Sequence, residues 1–268
     1  MIDAHFHLFP PVDFKIEGVL DGQMGVTAEE AARLLDVAGV EKAVIFGLPC
    51  PEAFSLEDGN RYVMEAARAY PDRLVPVAMI DDRIEHWLAE GARGAKEHVY
   101  TQRRLRSSKR LLDGFADLSQ WREQYRAVAR AGVPLILHGG LDVVRRVLWM
   151  QGLAPGLRVV LAHLGWSFEP QAGNGGRATW EELRPVLEAL VEAEGVFFDL
   201  SALWCGVEER RVIREALALL GPGRVMWGSD YPTDNMKPHM ALGYLAGVGL
   251  TREQMEDLDR TARKVWGI

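Results

Sequence analysis

Ala131-Gly132-Val133-Pro134-Leu135-Ile136-Leu137-His138 joins a glycine stop, a short unbroken apolar run and a terminal polar residue. Unbroken runs of this length suit strands buried on both faces, as in parallel sheets. The glycine suits the left-handed end of a preceding helix. The design recurs along the chain: apolar segments fall at Ile2–Phe6, Ala43–Gly47, Leu74–Met79, Gly94–Lys96, Pro134–His138, Arg158–His163, Val196–Leu200 and Val225–Gly228. Helical patterns separate them, at Ala28–Val37, Gln120–Ala131, Trp180–Glu194, Val207–Leu220 and Thr251–Trp266. Thr27 and Thr179 each stand three residues before a glutamate, Glu30 and Glu182, which is capping-box spacing. Gly39, Gly195 and Gly221 stand where other helices should stop.

Eight strand–helix alternations in 268 residues fit a single distorted (β/α)8 TIM barrel, for which about 250 residues is typical. A doubly wound open sheet shares the alternation and stays open at this level. No linker or low-complexity segment divides the chain, so residues 1–268 are expected to form one domain.

Composition excludes several classes. The hydrophobic fraction of 48% supplies a core, and 38 acidic against 31 basic residues leave a net charge of −7. Nucleic-acid binding usually needs a basic footprint, so a small-molecule substrate is expected instead. No run reaches the about 18 apolar residues of a membrane span, and the N-terminus lacks the features of a secretion signal. Two cysteines, Cys50 and Cys205, do not make a disulfide framework, which points to a reducing, cytoplasmic setting.

The ionisable residues gather at strand ends. Alternation along the first strand puts Asp3, His5 and His7 on one face and Ile2, Ala4, Phe6 and Leu8 on the other. The apolar set is expected to meet the helices and the polar set to point inward. Two imidazoles spaced His-x-His on a strand stand side by side, in chelating geometry. Later segments end alike: Leu137-His138, Ala162-His163, Ser229-Asp230, and Lys96 followed by Glu97 and His98. Any one of these groups has an ordinary structural use, as a turn former, an ion-pair partner or a backbone acceptor. Five such groups at one rim point to a site at the C-terminal mouth, where barrel enzymes work. Imidazole and carboxylate donors suit Zn2+, and also Mn2+ or Fe2+. A divalent ion there would give activated water near neutral pH, with a histidine to move protons.

The motifs Asp3-Ala4-His5-Phe6-His7, Gly94-Ala95-Lys96-Glu97-His98, Leu137-His138-Gly139-Gly140, Ala162-His163-Leu164-Gly165 and Gly228-Ser229-Asp230-Tyr231-Pro232 resemble the amidohydrolase superfamily. More narrowly, they are similar to the amidohydrolase-related metal-dependent hydrolases, which include aminocarboxymuconate-semialdehyde decarboxylase-like enzymes. The resemblance implies that His5, His7, His138 and Asp230 bind metal. It implies that Asp230 and His163 are catalytic, Asp230 accepting protons and His163 polarising substrate or water. Lys96 matches a lysine that some members carboxylate to bridge two metals. One ion is the preferred reading; two, bridged by Lys96, is the alternative. A homodimer is also implied.

The expected activity is metal-dependent hydrolysis of a small amide, lactone or ester. The alternatives are non-oxidative decarboxylation of an aromatic or unsaturated acid, and a catalytically silent metal- or ligand-binding barrel. Arg103, within five cations in the eight positions 103–110, is a candidate for a substrate anion, although a solvated helical face explains most of that cluster. Trp166, Trp204 and Tyr231 follow strand ends and are candidates for a substrate pocket. The glycine-rich 171–176 segment could form a lid, but it lacks phosphate-loop residues.

Overall fold

The computed structural model describes residues 1–16, 20–48, 54–98, 121–138, 143–165, 179–203, 207–233 and 236–268. Arg103 and the rest of the 103–110 cluster, Trp166, Trp204, Cys50, Cys205 and the 171–176 segment lie outside them.

In chain order the elements are β1 (Ile2–His7), β2 (Val12–Ile16), β3 (Leu20–Met24), α1 (Ala28–Ala38), β4 (Lys42–Phe46), α2 (Leu56–Ala69), β5 (Leu74–Pro76) and β6 (Ala78–Met79). Then come α3 (Ile84–Ala89), β7 (Ala95–His98), α4 (Arg122–Arg130), β8 (Pro134–His138), α5 (Val143–Leu153) and β9 (Arg158–Leu161). The chain finishes with α6 (Trp180–Val191), β10 (Val196–Asp199), α7 (Val207–Leu220), β11 (Val225–Met226), α8 (Pro238–Gly247) and α9 (Arg252–Trp266).

Eight parallel staves are present among the described residues. One sheet runs β1-β4-β5 and another β11-β10-β9-β8-β7-β6. The stave shared by β5 and β6 joins them: the Val77 N–H donates to the Ile45 carbonyl at 2.8 Å, and the Ala78 N–H to Gly94 at 3.1 Å. Closure comes from β1 against the chain after β11. Ala4 N–H donates to Trp227 at 2.9 Å, Asp230 N–H to His5 at 2.8 Å, and His7 N–H to Tyr231 at 2.8 Å. The sheet is therefore a closed barrel, and the open-sheet alternative is removed.

Local chemistry explains the element ends. Thr27 Oγ1 accepts from the Glu30 N–H at 3.1 Å, and Gly39 at φ 64° ends α1. Capping boxes start α6 at Thr179 and α9 at Thr251. Helices α2, α5 and α8 and the antiparallel hairpin β2–β3 were not expected from the sequence. No helix among the described residues is long and apolar enough to cross a membrane.

The buried residues form two main layers. Ala43, Ile45, Leu135, Leu137, Val159 and Leu161 pack outward against the helices. Their strand neighbours Val44, Phe46, Ile136 and Val160 pack inward, where Ala262, Val265 and Trp266 of α9 fill the lower end. Gly94 makes room for this plug, since a Cβ there would lie 2.7 Å from the Trp266 ring.

Strand β1 departs from simple alternation. Asp3 pairs with Ala43 and Phe6 with Ile45, so Ala4 and His5 together face the single residue Val44. This β-bulge shifts the side-chain phase. Ile2 and Ala4 consequently belong to the interior cluster, while Phe6 and Leu8 meet the helices. The expectation that Ile2 and Ala4 face the helices is corrected by the bulge.

Candidate metal and catalytic centre

The bulge sets His5 and His7 on the inner wall, beside the rings of Phe46 and each other. Opposite them the chain leaves β11 through Gly228. A Cβ at Gly228 would lie 2.4 Å from the His5 Cβ, so only glycine lets the two segments close this tightly. The next residues are Ser229 and Asp230. The Asp3 Oδ1 accepts from the Ser229 N–H at 2.9 Å and the His5 N–H at 3.2 Å, pinning both sides of the closure.

His163 and Asp230 both adopt left-handed backbone, each at φ 56°. Such conformations are costly for residues other than glycine and cluster at functional sites. Hydrogen bonds hold them: the His163 N–H reaches Asp199 Oδ1 at 3.0 Å, and the Asp230 N–H reaches the His5 carbonyl.

Three imidazoles turn Nδ1 toward the protein. His5 Nδ1 lies 2.8 Å from Asp199 Oδ2, and His7 Nδ1 lies 3.2 Å from the Gly47 carbonyl. His163 Nδ1 lies 3.1 Å from the Ser201 carbonyl and 2.8 Å from its hydroxyl. A carbonyl or carboxylate can only accept, so these nitrogens carry the proton and Nε2 keeps its lone pair. Asp230 Oδ1 lies 3.1 Å from His5 Nε2 and 3.2 Å from His7 Nε2, yet it is buried and has no hydrogen-bond donor among the described residues. Converging lone pairs around a buried carboxylate oxygen are relieved by a cation. His5, His163 and Asp230 offer ligand atoms all within 4.8 Å of one another. The donor set thus fits a divalent ion with nitrogen and oxygen ligands.

Electrostatics separates the roles. Burial would raise the Asp230 carboxyl, but the charge of His163 and His5 and the protons of His5 and His7, whenever those rings are protonated, hold it well below the usual range. Asp199 is likewise held low against burial, by His5, His163 and Ser201. Burial, aided by Lys96, pushes His7 down to about 3, so its ring is neutral near pH 7. Burial also lowers His163. At His5, burial and Lys96 act downward, but Asp199 and Asp230 outweigh them and raise it.

Lys96 is fully buried, with Nζ 2.8 Å from His5 Nε2 and 3.9 Å above the Phe46 ring. Burial brings its ammonium down to about 7. Lys96 Nζ is thus placed to donate to the Nε2 lone pair of His5.

The structure brings together His5, His7, Lys96, His163 and Asp230. His138, expected as a metal ligand, joins them through its ring, stacked edge-on against His163 at 4.7 Å between centroids. The tightest trio instead includes His163, expected as a proton-transfer residue. Tyr231 is corrected: its ring packs on Phe6 in the outer layer, near Glu30 and Arg33 of α1. Glu97 faces the helices, bonded to Arg146 and to the Tyr125 hydroxyl. The side chain of His98 is outside the described residues. His86 and His239 are exposed on α3 and α8. Two residues not picked from the sequence, Asp199 and Ser201, complete the centre. Asp199 ends an apolar run as His138 does, and that was its signal.

Comparison with known proteins agrees with this fold. Over the whole chain the fold matches a probable 2-pyrone-4,6-dicarboxylic acid hydrolase of Acinetobacter baumannii crystallised with citric acid: 18% identity, TM-score 0.74, covering 100% of this chain and 99% of that one. An amidohydrolase of Burkholderia multivorans with bound zinc matches at 16% identity and TM-score 0.74, with the same coverage. A 2,6-dihydroxybenzoate decarboxylase from Rhizobium matches at 14% identity and TM-score 0.65, covering 99% and 98%. In sequence, an uncharacterized protein of Sinorhizobium fredii is 24% identical over 123 residues, a stretch that takes in 44% of this chain and 39% of that one. A family model described as amidohydrolase matches residues 2–268. The chain belongs to the amidohydrolase family.

Proposed function

We propose that this protein is a metal-dependent hydrolase of a small carbonyl substrate, a lactone, ester or amide, with one zinc ion as its cofactor. The observation that carries the reading is Asp230 Oδ1, buried with no donor among the described residues, between the Nε2 atoms of His5 and His7. His5, His163 and Asp230 would hold the ion, with His7 beside them; a bound ion supplies Lewis acidity and lowers the pKa of its water toward about 7.

The remaining chemistry belongs to the side chains. Asp230 is ionised at neutral pH and takes the proton lost by the attacking water. His163, neutral and fixed through Nδ1, orients water and the substrate carbonyl. Lys96, at about 7, stands ready to return a proton to the leaving group. The few cysteines suit a reducing, cytoplasmic setting.

Lys96 also supports a second reading. Decarboxylation needs a proton donor at the carbon that loses CO2, and a buried lysine titrating near neutrality can serve. Zinc-loaded protein tested against lactones, esters, amides and aromatic carboxylic acids, with CO2 detection, separates the readings. Hydrolysis abolished in Asp230→Asn is the expected result. CO2 release without any hydrolytic product overturns it in favour of the lyase.

A further inference from the structure

The Asp199 carboxylate is fully buried and accepts from four donors. Its Oδ2 faces His5 Nδ1 at 2.8 Å. Its Oδ1 receives the His163 N–H at 3.0 Å, the Ser201 N–H at 3.0 Å and the Ser201 hydroxyl. Four donors leave the carboxylate no space for a proton of its own. With its hydroxyl proton given to Asp199, Ser201 Oγ can only accept from His163 Nδ1, 2.8 Å away.

We propose that Asp199 is a positioning residue that selects the protonated nitrogen of His5 directly and of His163 through Ser201, leaving both Nε2 lone pairs to face the centre. The inference rests on the metal-binding reading of that centre. Two neighbouring staves are tied by one side chain: β10 supplies the carboxylate, and the turn after β9 supplies His163. Outer partners of this kind fix the ring orientation of metal-binding histidines.

The substitution Asp199→Asn makes the argument testable. An asparagine has one accepting oxygen and one donating NH2. With its oxygen toward the three donors on the Oδ1 side, the NH2 points at His5 Nδ1. Nδ1 must then give up its proton, which moves to Nε2 and caps the nitrogen that faces the centre.

The experiment has two parts. In metal-free wild-type protein, 15N spectra of the histidine rings at pH 7–8 should show His5 and His163 protonated at Nδ1; protonation at Nε2 in both overturns the proposal. This part needs no variant. Co2+ uptake is then measured by chelator competition in wild type, Asp199→Asn and His5→Ala, with circular dichroism to confirm folding. Asp199→Asn should bind Co2+ about 10–100-fold more weakly, with the His5 proton moved to Nε2. A folded Asp199→Asn with wild-type affinity and an unmoved His5 proton overturns the role. Should His5→Ala bind Co2+ as wild type does, the metal reading of the centre falls instead, and the ring spectra still decide Asp199.

Discussion

Asp230 and His5 meet twice. The Asp230 N–H donates to the His5 carbonyl at 2.8 Å, and its Oδ1 lies 3.1 Å from His5 Nε2. The bond that closes the barrel is also the bond that sets the distance between these two site residues. Damage to the closure is therefore damage to the site.

Removing either partner should show in metal and in rate together. His5→Ala and Asp230→Asn are expected to lower bound zinc, read by elemental analysis. Loss of the base in Asp230→Asn should also lower kcat about 100–10,000-fold. Unchanged metal content in both variants would sink the ligand assignment. With one ion held by His5, His163 and Asp230, His163→Asn should lower bound zinc along with turnover; a variant that keeps one of two equivalents would show two ions.

Gly228→Ala tests the closure without replacing a site side chain. The new methyl would sit 2.4 Å from the His5 Cβ and 2.8 Å from its backbone nitrogen, so the backbone must move. Urea unfolding should show a loss of about 2–4 kcal/mol, with weaker metal binding. A variant of wild-type stability would show that the contact relaxes freely.

Asp3 makes stability depend on pH. Burial raises its carboxyl to about 7 from 3.8. Between those values the native chain binds a proton that the unfolded chain releases. The contribution is complete below about pH 4 and is lost as pH rises through 7, a span of about 4 kcal/mol. His7 acts in the opposite sense, since its fall to about 3 costs stability as pH drops below 6.5. Metal-free Asp3→Asn should therefore keep only the acid-side loss, where wild type shows the two partly cancelling. Parallel profiles for both proteins would remove Asp3 from this account.

Lys96 titrates in the same protein at a different place. At about 7 instead of 10.5, its native form binds fewer protons than the unfolded chain across that interval. Metal-free wild type should gain stability from pH 7 to 10. Lys96→Met should be flat there and about 1–4 kcal/mol more stable at pH 7. Denaturant midpoints across the range check both statements.

Trp266→Ala should separate fold from function. The ring is buried in the interior plug, at the end of the barrel away from the centre. A cost of about 3–5 kcal/mol is expected, with metal stoichiometry unchanged. Loss of metal from a folded variant would tie the plug to the site.

Much of the barrel was legible because strands such as Val159-Val160-Leu161 are buried on both sides, and such burial demands unbroken apolar runs. The strand-end groups His138, His163 and Asp230 stood out against those runs. Asp199, at the end of Val196-Phe197-Phe198, carries the same signal. The β2–β3 hairpin was also readable, since Val12, Phe14 and Ile16 alternate with Asp13 and Lys15; a search for unbroken runs misses that pattern. The bulge was not readable. Nothing in Asp3-Ala4-His5 states that two residues will face one on the next strand, because that depends on how the barrel closes. Ser201 was hidden too, its role arising only when the chain after β10 comes beside His163.

The floor of the barrel is laid last. The Ile2 N–H bonds to Asp259 Oδ1, 257 residues later, and the interior around Ile2 and Ala4 is completed by Ala262, Val265 and Trp266. At ribosomal speed the first strand waits roughly 10–50 s for those partners to be made. Throughout that interval Ile2 and Ala4 lack the α9 side chains that cover them. Loss of the last helix alone would therefore open the barrel from beneath, under Ile2 and Ala4, while leaving every strand in place.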